Sequence, residues 1–290
     1  MNKPKLSRTL KSCILEMLKS PLLDKNRFKK NDFEICDFST GILLPVVTVI
    51  EDEIQHVHTK DDIRNLVISN VEKETGFKHN KNSDVIINAV FEYKNDQKEV
   101  KHIFGLIGEN KKKNFSKNDV HRNENGILIN MEKIIAFLNE RKIADIEIKW
   151  EITRNPIYLT GNYIKTIRNI SHSKGFVGDL KVATSIEEIC SNDFVKFTES
   201  EKYSFSSLGR EDVDVKMLGE GRPFLIELKN SKKDVSKFQK KILDNLCNKI
   251  NKKWKNQVQI SKFRLASQKD IDQVKKNICK SKIYSFLNTS

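Results

Sequence analysis

Apolar residues at Leu6, Leu10, Ile14, Leu15 and Leu18 fall at the spacing of one helix face. The run GILLPVVTVIEDE is nearly unbroken in its apolar character, and Pro45 interrupts it, so an extended piece is expected there. Thr59 followed by Asp62 marks a helix start and Gly76 a stop, enclosing DIRNLVISNVEKETG. In SDVIINAVFEYK, β-branched and aromatic residues alternate, the pattern of a strand. Residues 108–126, GENKKKNFSKNDVHRNENG, are polar and expected as a loop. ILINMEKIIAFLNERK reads as a helix. ADIEIKWEIT, with Ile146, Ile148 and Trp150 set between charged residues, reads as a half-buried strand.

PIYLTGNYIK predicts a strand followed by a turn at Gly161. DVDVKML and RPFLIELKN predict two strands, with Gly219-Glu220-Gly221 as hairpin punctuation between them. In KDVSKFQKKILDNLCNKI, residues Val235, Phe238, Ile242, Leu246 and Ile250 form one stripe of a basic amphipathic helix. QVQISKFRLAS and KIYSFL predict strands flanking a helix at DIDQVKKNI. Strands and helices mix without a βαβ rhythm, which predicts an α+β fold. The polar, glycine-containing stretch SHSKGFVGDL suggests a division near residues 170–195.

The chain has 290 residues, enough for one large domain or two ordinary ones. No apolar run approaches the roughly 18 residues of a membrane helix, so membrane insertion is not expected. The first twenty residues lack the apolar core and cleavage site of a secretory signal. They are basic and capable of an amphipathic helix, which keeps a mitochondrial presequence open. Cys13, Cys36, Cys190, Cys247 and Cys279 include no CxxC pair, so the set reads as reduced intracellular thiols. Placement of charge matters more than its total of +14. Residues 229–290 hold 17 Lys and Arg against 4 Asp and Glu; residues 1–228 hold 36 against 35. Compositional bias toward Lys and Asn would spread the excess evenly. Its concentration instead points to a polyanion such as nucleic acid.

Neither GxxxxGK[ST] nor GxGxxG occurs, which argues against a nucleotide-driven enzyme. His56 and His58 could share a strand face as metal ligands, but no third ligand is obvious nearby. GNYIKTIRN, with Tyr163, Lys165 and Arg168, is either a solvated basic turn or a phosphate-binding one. The densest cluster is SSLGREDVDVKMLGEGRPF: Glu211, Asp212 and Asp214 lie within four positions, Arg210 is beside them, and Arg222 lies across the expected hairpin. In a strand, Asp212 and Asp214 would share a face and Glu211 would point the other way. Two carboxylates on one face suit acid/base chemistry, a magnesium site or an Arg-paired structural cluster. A hydrated turn with local salt bridges is the plain alternative.

GREDVDVKMLGEGRPF resembles the catalytic segment of the Pus10 family of tRNA pseudouridine synthases, and NPIYLTGNYIKTIRNISHS resembles the family's preceding segment. The resemblance is strongest over residues 150–230. It implies an α+β protein with a THUMP-like accessory α/β region for RNA binding over residues 1–180. Residues 181–290 would be the N-terminal part of a mainly antiparallel catalytic domain. The implied reaction isomerises a T-arm uridine of tRNA with neither metal nor organic cofactor. A flipped uridine is held while its glycosidic bond breaks and the base rejoins through carbon. Asp212 would be the catalytic aspartate, acting as nucleophile or base with a basic neighbour keeping it ionised. Arg210 would hold the loop or contact RNA, and Tyr284 would stack on the flipped base. Lys165, Arg168 and Arg222 complete the expected RNA-binding set. The family's catalytic domain continues past the strand of Tyr284, so poor turnover or none is expected of this chain alone, with tRNA binding retained. The implied location is intracellular, nuclear or cytoplasmic. Two rivals remain: a non-catalytic RNA-binding remnant, and a metal-dependent nuclease built on Asp212 and Asp214.

Overall fold

The computed structural model describes residues 5–19, 33–109, 111–174, 176–177, 180–181, 184–234, 238–274 and 276. The chain divides into two compact units, residues 1–153 and 154–290. That division falls before the one near residue 180 that the sequence suggested. The reason is β5, which the sequence reading grouped with the first region and which is an inner strand of the second unit's sheet.

The first unit begins with α1 (Leu10–Leu18), started by a reciprocal capping box between Thr9 and Ser12. Then follow β1 (Asp37–Leu43), α2 (Val46–Gln55), α3 (Thr59–Thr75), β2 (Lys78–His79), β3 (Val85–Tyr93), α4 (Asp96–Leu106), α5 (Lys117–Arg122), α6 (Glu124–Ile129), α7 (Met131–Glu140) and β4 (Ile146–Arg154). The sheet order is β2-β1-β3-β4, with β1 parallel to both β2 and β3. On β3, Val85, Ile87, Ala89, Phe91 and Tyr93 are buried in strict alternation, as the sequence pattern predicts. α1 and α3 bury Ile14, Leu18, Ile63, Val67 and Val71 in one core with the sheet. A second core joins α2, α4 and the helices from 117 to 140.

Two expectations fail here. Pro45 does not interrupt an extended piece; it is the N-cap of α2. Proline there gives up no helical hydrogen bond, and burial of Val47, Ile50 and Ile54 overrides the β-branched propensity of VVTVI. The polar stretch 108–126 contains α5, capped by Ser116 and Asp119, and the start of α6. Phe115 and Val120 supply the burial that fixes it.

The second unit contains β5 (Ile157–Lys165), β6 (Phe176–Val177), β7 (Leu180–Lys181), α8 (Ile186–Thr198), β8 (Lys202–Ser207), β9 (Met217–Lys229), α9 (Lys240–Lys253) and β10 (Val258–Leu265). Its main sheet runs β10-β5-β9-β8, antiparallel throughout. α8 and α9 cover one face through Ile186, Ile189, Phe194, Leu243, Cys247 and Ile250. Residues 268–274 are helical, and Ile271 and Val274 join Leu225 in a separate small core. The overall class is thus α+β, as expected.

Differences are again local. Gly161 makes no turn; it sits inside β5 because a Cβ there would lie 3.0 Å from Ser261 O and from the Phe263 ring. Gly219-Glu220-Gly221 closes no hairpin either. β9 is one strand, Arg222 opposes Tyr163, and Met217 opposes Lys165. Residues 218–221 therefore stand against Ile164 alone, a wide bulge with Gly219 and Gly221 at positive φ. DVDVKML is accordingly a loop up to Met217. On α9 the most buried stripe is Leu243, Cys247 and Ile250, with Ile242 and Leu246 half-buried. Val235 and the KIYSFL strand with Tyr284 lie outside the described residues. Among the described residues no helix is long and apolar enough to cross a membrane.

Candidate active site

The burial pattern of β5 places Ile157, Leu159, Gly161, Tyr163 and Lys165 on one face, the face that packs into the main core. Lys165 is therefore a lysine on a core face, and it is fully buried. An ammonium there requires acceptors. Its Nζ donates to Ile170 O at 2.9 Å, Val213 O at 3.1 Å and Asp212 O at 3.2 Å. Burial depresses its pKa, opposed by the charges of Glu211, Asp214 and Asp212. The sequence left this residue between a solvated and a phosphate-binding cation. The structure makes it the anchor of the loop between β8 and β9.

The same loop is held at two further backbone points. Asn169, at φ 65°, donates its N–H to Val213 O at 2.8 Å, and Val215 N–H donates to Asp212 O at 3.2 Å. The main chain of 212–213 is thus tied inward by its carbonyls, while the side chains of Asp212 and Asp214 are exposed. Glu211 turns the other way and is buried. Tyr163 OH donates to Glu211 Oε2 at 2.6 Å, and Arg222 Nη1 lies 3.3 Å from the same oxygen. Burial and the bond to Glu211 push the Tyr163 phenol well up, so it stays a donor. The β9 bulge aims Arg222 at this point. Gly209, at φ +91°, leaves the guanidinium room: a Cβ there would be 3.2 Å from Nη1.

His172 closes the back of the site, a residue the sequence reading passed over. Ser207 Oγ donates to Gly209 O at 2.5 Å, so it accepts from His172 Nε2 at 2.6 Å, and that nitrogen carries the proton. Ser173 Oγ then donates to Nδ1 at 3.2 Å. Burial lowers the His172 pKa; Arg210, Arg222 and Lys165 lower it further, and only Glu211 opposes them. The ring is neutral at pH 7 and packs beside Tyr163 and Phe205.

Of the residues expected at the site, Asp212, Arg210, Arg222 and Lys165 come together on this loop or behind it. Arg210 is exposed beside Asp212, Arg222 is half-buried against Glu211, and Arg168 is exposed on the turn after β5. Tyr284 lies outside the described residues. His56 caps the end of α2 and His58 precedes α3, and among the described residues no three His, Cys, Asp or Glu stand together as a metal site. Strand periodicity alone could have revealed the buried roles of Tyr163 and Lys165, since both fall in step with Ile157 and Leu159.

Residues 158–290 match the sequence family described as Pus10, C-terminal. Among curated proteins, the chain is 33% identical over 151 residues to the human "tRNA pseudouridine synthase Pus10". That match covers 51% of this chain and 28% of the relative. It is 31% identical over 131 residues to the protein of that name from Methanocaldococcus jannaschii, covering 40% of this chain and 28% of the relative. It is 27% identical over 209 residues to the one from Methanopyrus kandleri, covering 63% of this chain and 45% of the relative. The chain thus spans less than half the length of these relatives that it matches. The loop carrying Asp212 and the strands that hold it lie within the matched region, over which this chain resembles the Pus10 family of tRNA pseudouridine synthases.

Proposed function

We infer that the chain acts on tRNA as a pseudouridine synthase, with a T-arm uridine as target and Asp212 as the catalytic carboxylate. The observation that carries the reading is the contrast within four residues. Glu211 is buried and bonded, whereas Asp212 is presented to solvent on a loop fixed through its main chain. Fixing the main chain this way removes the loop's own reorganisation from the encounter with a ribose, and such preorganisation is where much of an enzyme's rate originates. The reaction is an isomerisation: the N1–C1′ bond breaks, a C5–C1′ bond forms, C5 loses a proton and N1 gains one. No oxidant or reductant is needed. Asp212 serves as nucleophile or base at the sugar. Arg210 and Arg168, both exposed, are placed to meet phosphates, and Tyr284 is the proposed stacking partner of the flipped base. Lys165 and Arg222 act from behind the loop, as positioning residues. The first unit, residues 1–153, is proposed to serve as the THUMP-like accessory region that binds RNA.

The test is a pair of substitutions assayed on a tRNA transcript. Asp212→Ala abolishes pseudouridine formation and leaves tRNA affinity within about twofold; Asp214→Ala retains activity. Loss of turnover in Asp214→Ala with retention in Asp212→Ala assigns the chemistry to the other carboxylate. Tight tRNA binding by the unsubstituted chain with no pseudouridine formed, even at high protein concentration, overturns the catalytic reading in favour of the non-catalytic RNA-binding one.

A further inference from the structure

Within the first unit, a cavity of about 720 Å3 is lined by residues of α4 and α7 and by those that follow α7. Its wall includes Lys98, Lys101, His102, Phe137, Arg141 and Lys142. Glu99 is the one carboxylate among the lining residues, and it is already engaged. Arg141 Nη1 donates to its Oε2 at 2.8 Å, and Tyr93 OH donates to its Oε1. The second terminal nitrogen of Arg141 donates to Glu51, so the guanidinium is held by two buried carboxylates and keeps its charge. Lys98, Lys101 and Lys142 are exposed, and among the described residues none of them pairs with a carboxylate. Among the described residues of the unit Lys11, Lys94, Lys112 and Lys149 have an acidic partner and Lys73, Lys78 and Lys81 do not, so it is the convergence of three such cations on one cavity that sets this place apart. At the cavity the like charges stand together without relief, an arrangement that favours an anion.

A second feature narrows the anion. The rings of His102 and Phe137 stack with centroids 4.2 Å apart and planes 28° from parallel. His102 is exposed, and both rings of the stack line the cavity, so a planar aromatic pair is within reach of whatever occupies it. A flat base extends such a stack while its phosphate meets the ammonium groups. An acidic peptide would answer to the lysines but would have no use for the ring platform. The volume lies within the range of small-molecule pockets and exceeds what a bare phosphate needs.

We propose that this cavity is a nucleotide-binding subsite that takes one phosphate-bearing nucleoside, in this protein a nucleotide of a single-stranded RNA segment. Lys98, Lys101 and Lys142 hold the phosphates, and His102 on Phe137 carries the base. The proposal extends the tRNA reading to the first unit but does not depend on uridine isomerisation. It is tested on the full chain by fluorescence anisotropy with a labelled single-stranded RNA oligomer over a salt series, and by calorimetry with adenosine monophosphate.

Lys98→Ala/Lys101→Ala/Lys142→Ala flattens the slope of log affinity against log salt by about 0.7–1.4, at roughly 0.7 for each of the one or two strand phosphates that flank the bound nucleoside. His102→Ala weakens RNA binding about tenfold and leaves that slope unchanged. Lys73→Ala/Lys78→Ala/Lys81→Ala, three exposed lysines elsewhere in the unit, is the charge-matched control and has a smaller effect. Equal losses in both triple variants reduce the site to net charge and overturn it. An unchanged His102→Ala affinity overturns the base contact. Loss of adenosine monophosphate binding with RNA binding intact assigns the cavity to free nucleotides and overturns its RNA role. Anisotropy and calorimetry read binding alone, so failure of the catalytic reading leaves this test intact.

Discussion

His172 shows how one side chain ties the site to solvent conditions. Its folded pKa lies below the ordinary 6.5, with burial as the main cause. Below that ordinary value the unfolded chain takes up a proton that the folded chain refuses. The stability contributed by the neutral ring is therefore complete above pH 6.5 and declines as pH falls from there toward the folded pKa. Urea unfolding of the full chain at pH 7.5, 6.5 and 5.5 measures this decline. His172→Gln flattens the trend over that window, and an unaltered trend assigns it to other groups. Neither the ring's burial nor its tautomer was legible in NISHS, because both depend on Ser207 and Phe205, which are remote in sequence. The exposure of Asp212 was legible, since a short turn packed with charge announces itself without any partner. Lys165 lay between the two: the two-residue period of β5 marks its face, but its acceptors, the carbonyls of 170, 212 and 213, carry no sequence signature at all.

Elements were readable where burial imposed a regular period and misread where glycine or proline suggested a break. β3 and β4 follow their alternation, and α3 ends at Gly76 at φ 81° as expected. Gly161 is the instructive error. Glycine marks a turn when the backbone must bend, but here it marks a place where two strands and two phenyl rings close in on β5. Gly161→Ala brings a methyl to 3.0 Å from Ser261 O and the Phe263 ring and 3.2 Å from Phe224. Overpacking of this kind costs about 1–3 kcal/mol. The checking measurement is the urea midpoint with an unchanged m-value, and a loss below about 0.5 kcal/mol indicates that β10 shifts freely to make room. The Gly219–Gly221 bulge follows the same lesson. Its glycines serve a local widening that no short-range turn rule separates from a hairpin.

Across the whole molecule, the basic excess of residues 229–290 finds its folded counterpart on α9. Lys240, Lys241, Lys249, Lys252 and Lys253 are exposed there, opposite the buried Leu243, Cys247 and Ile250. Replacing Lys240, Lys241, Lys252 and Lys253 by Ala weakens tRNA binding across sequences. It also flattens the salt slope by about 0.7–0.9 for each lysine that meets a phosphate. Equilibrium binding at several salt concentrations checks this, and an unchanged slope attributes the charge to composition. The way the loop of Asp212 is anchored bears on descent as well as on chemistry. Its hold is on peptide oxygens, which every residue possesses, and so the shape makes no demand on what stands at 212. A descendant could exchange that aspartate for almost anything and inherit the same loop. On the proposed role of Asp212, relatedness in this fold would then persist after catalysis had gone.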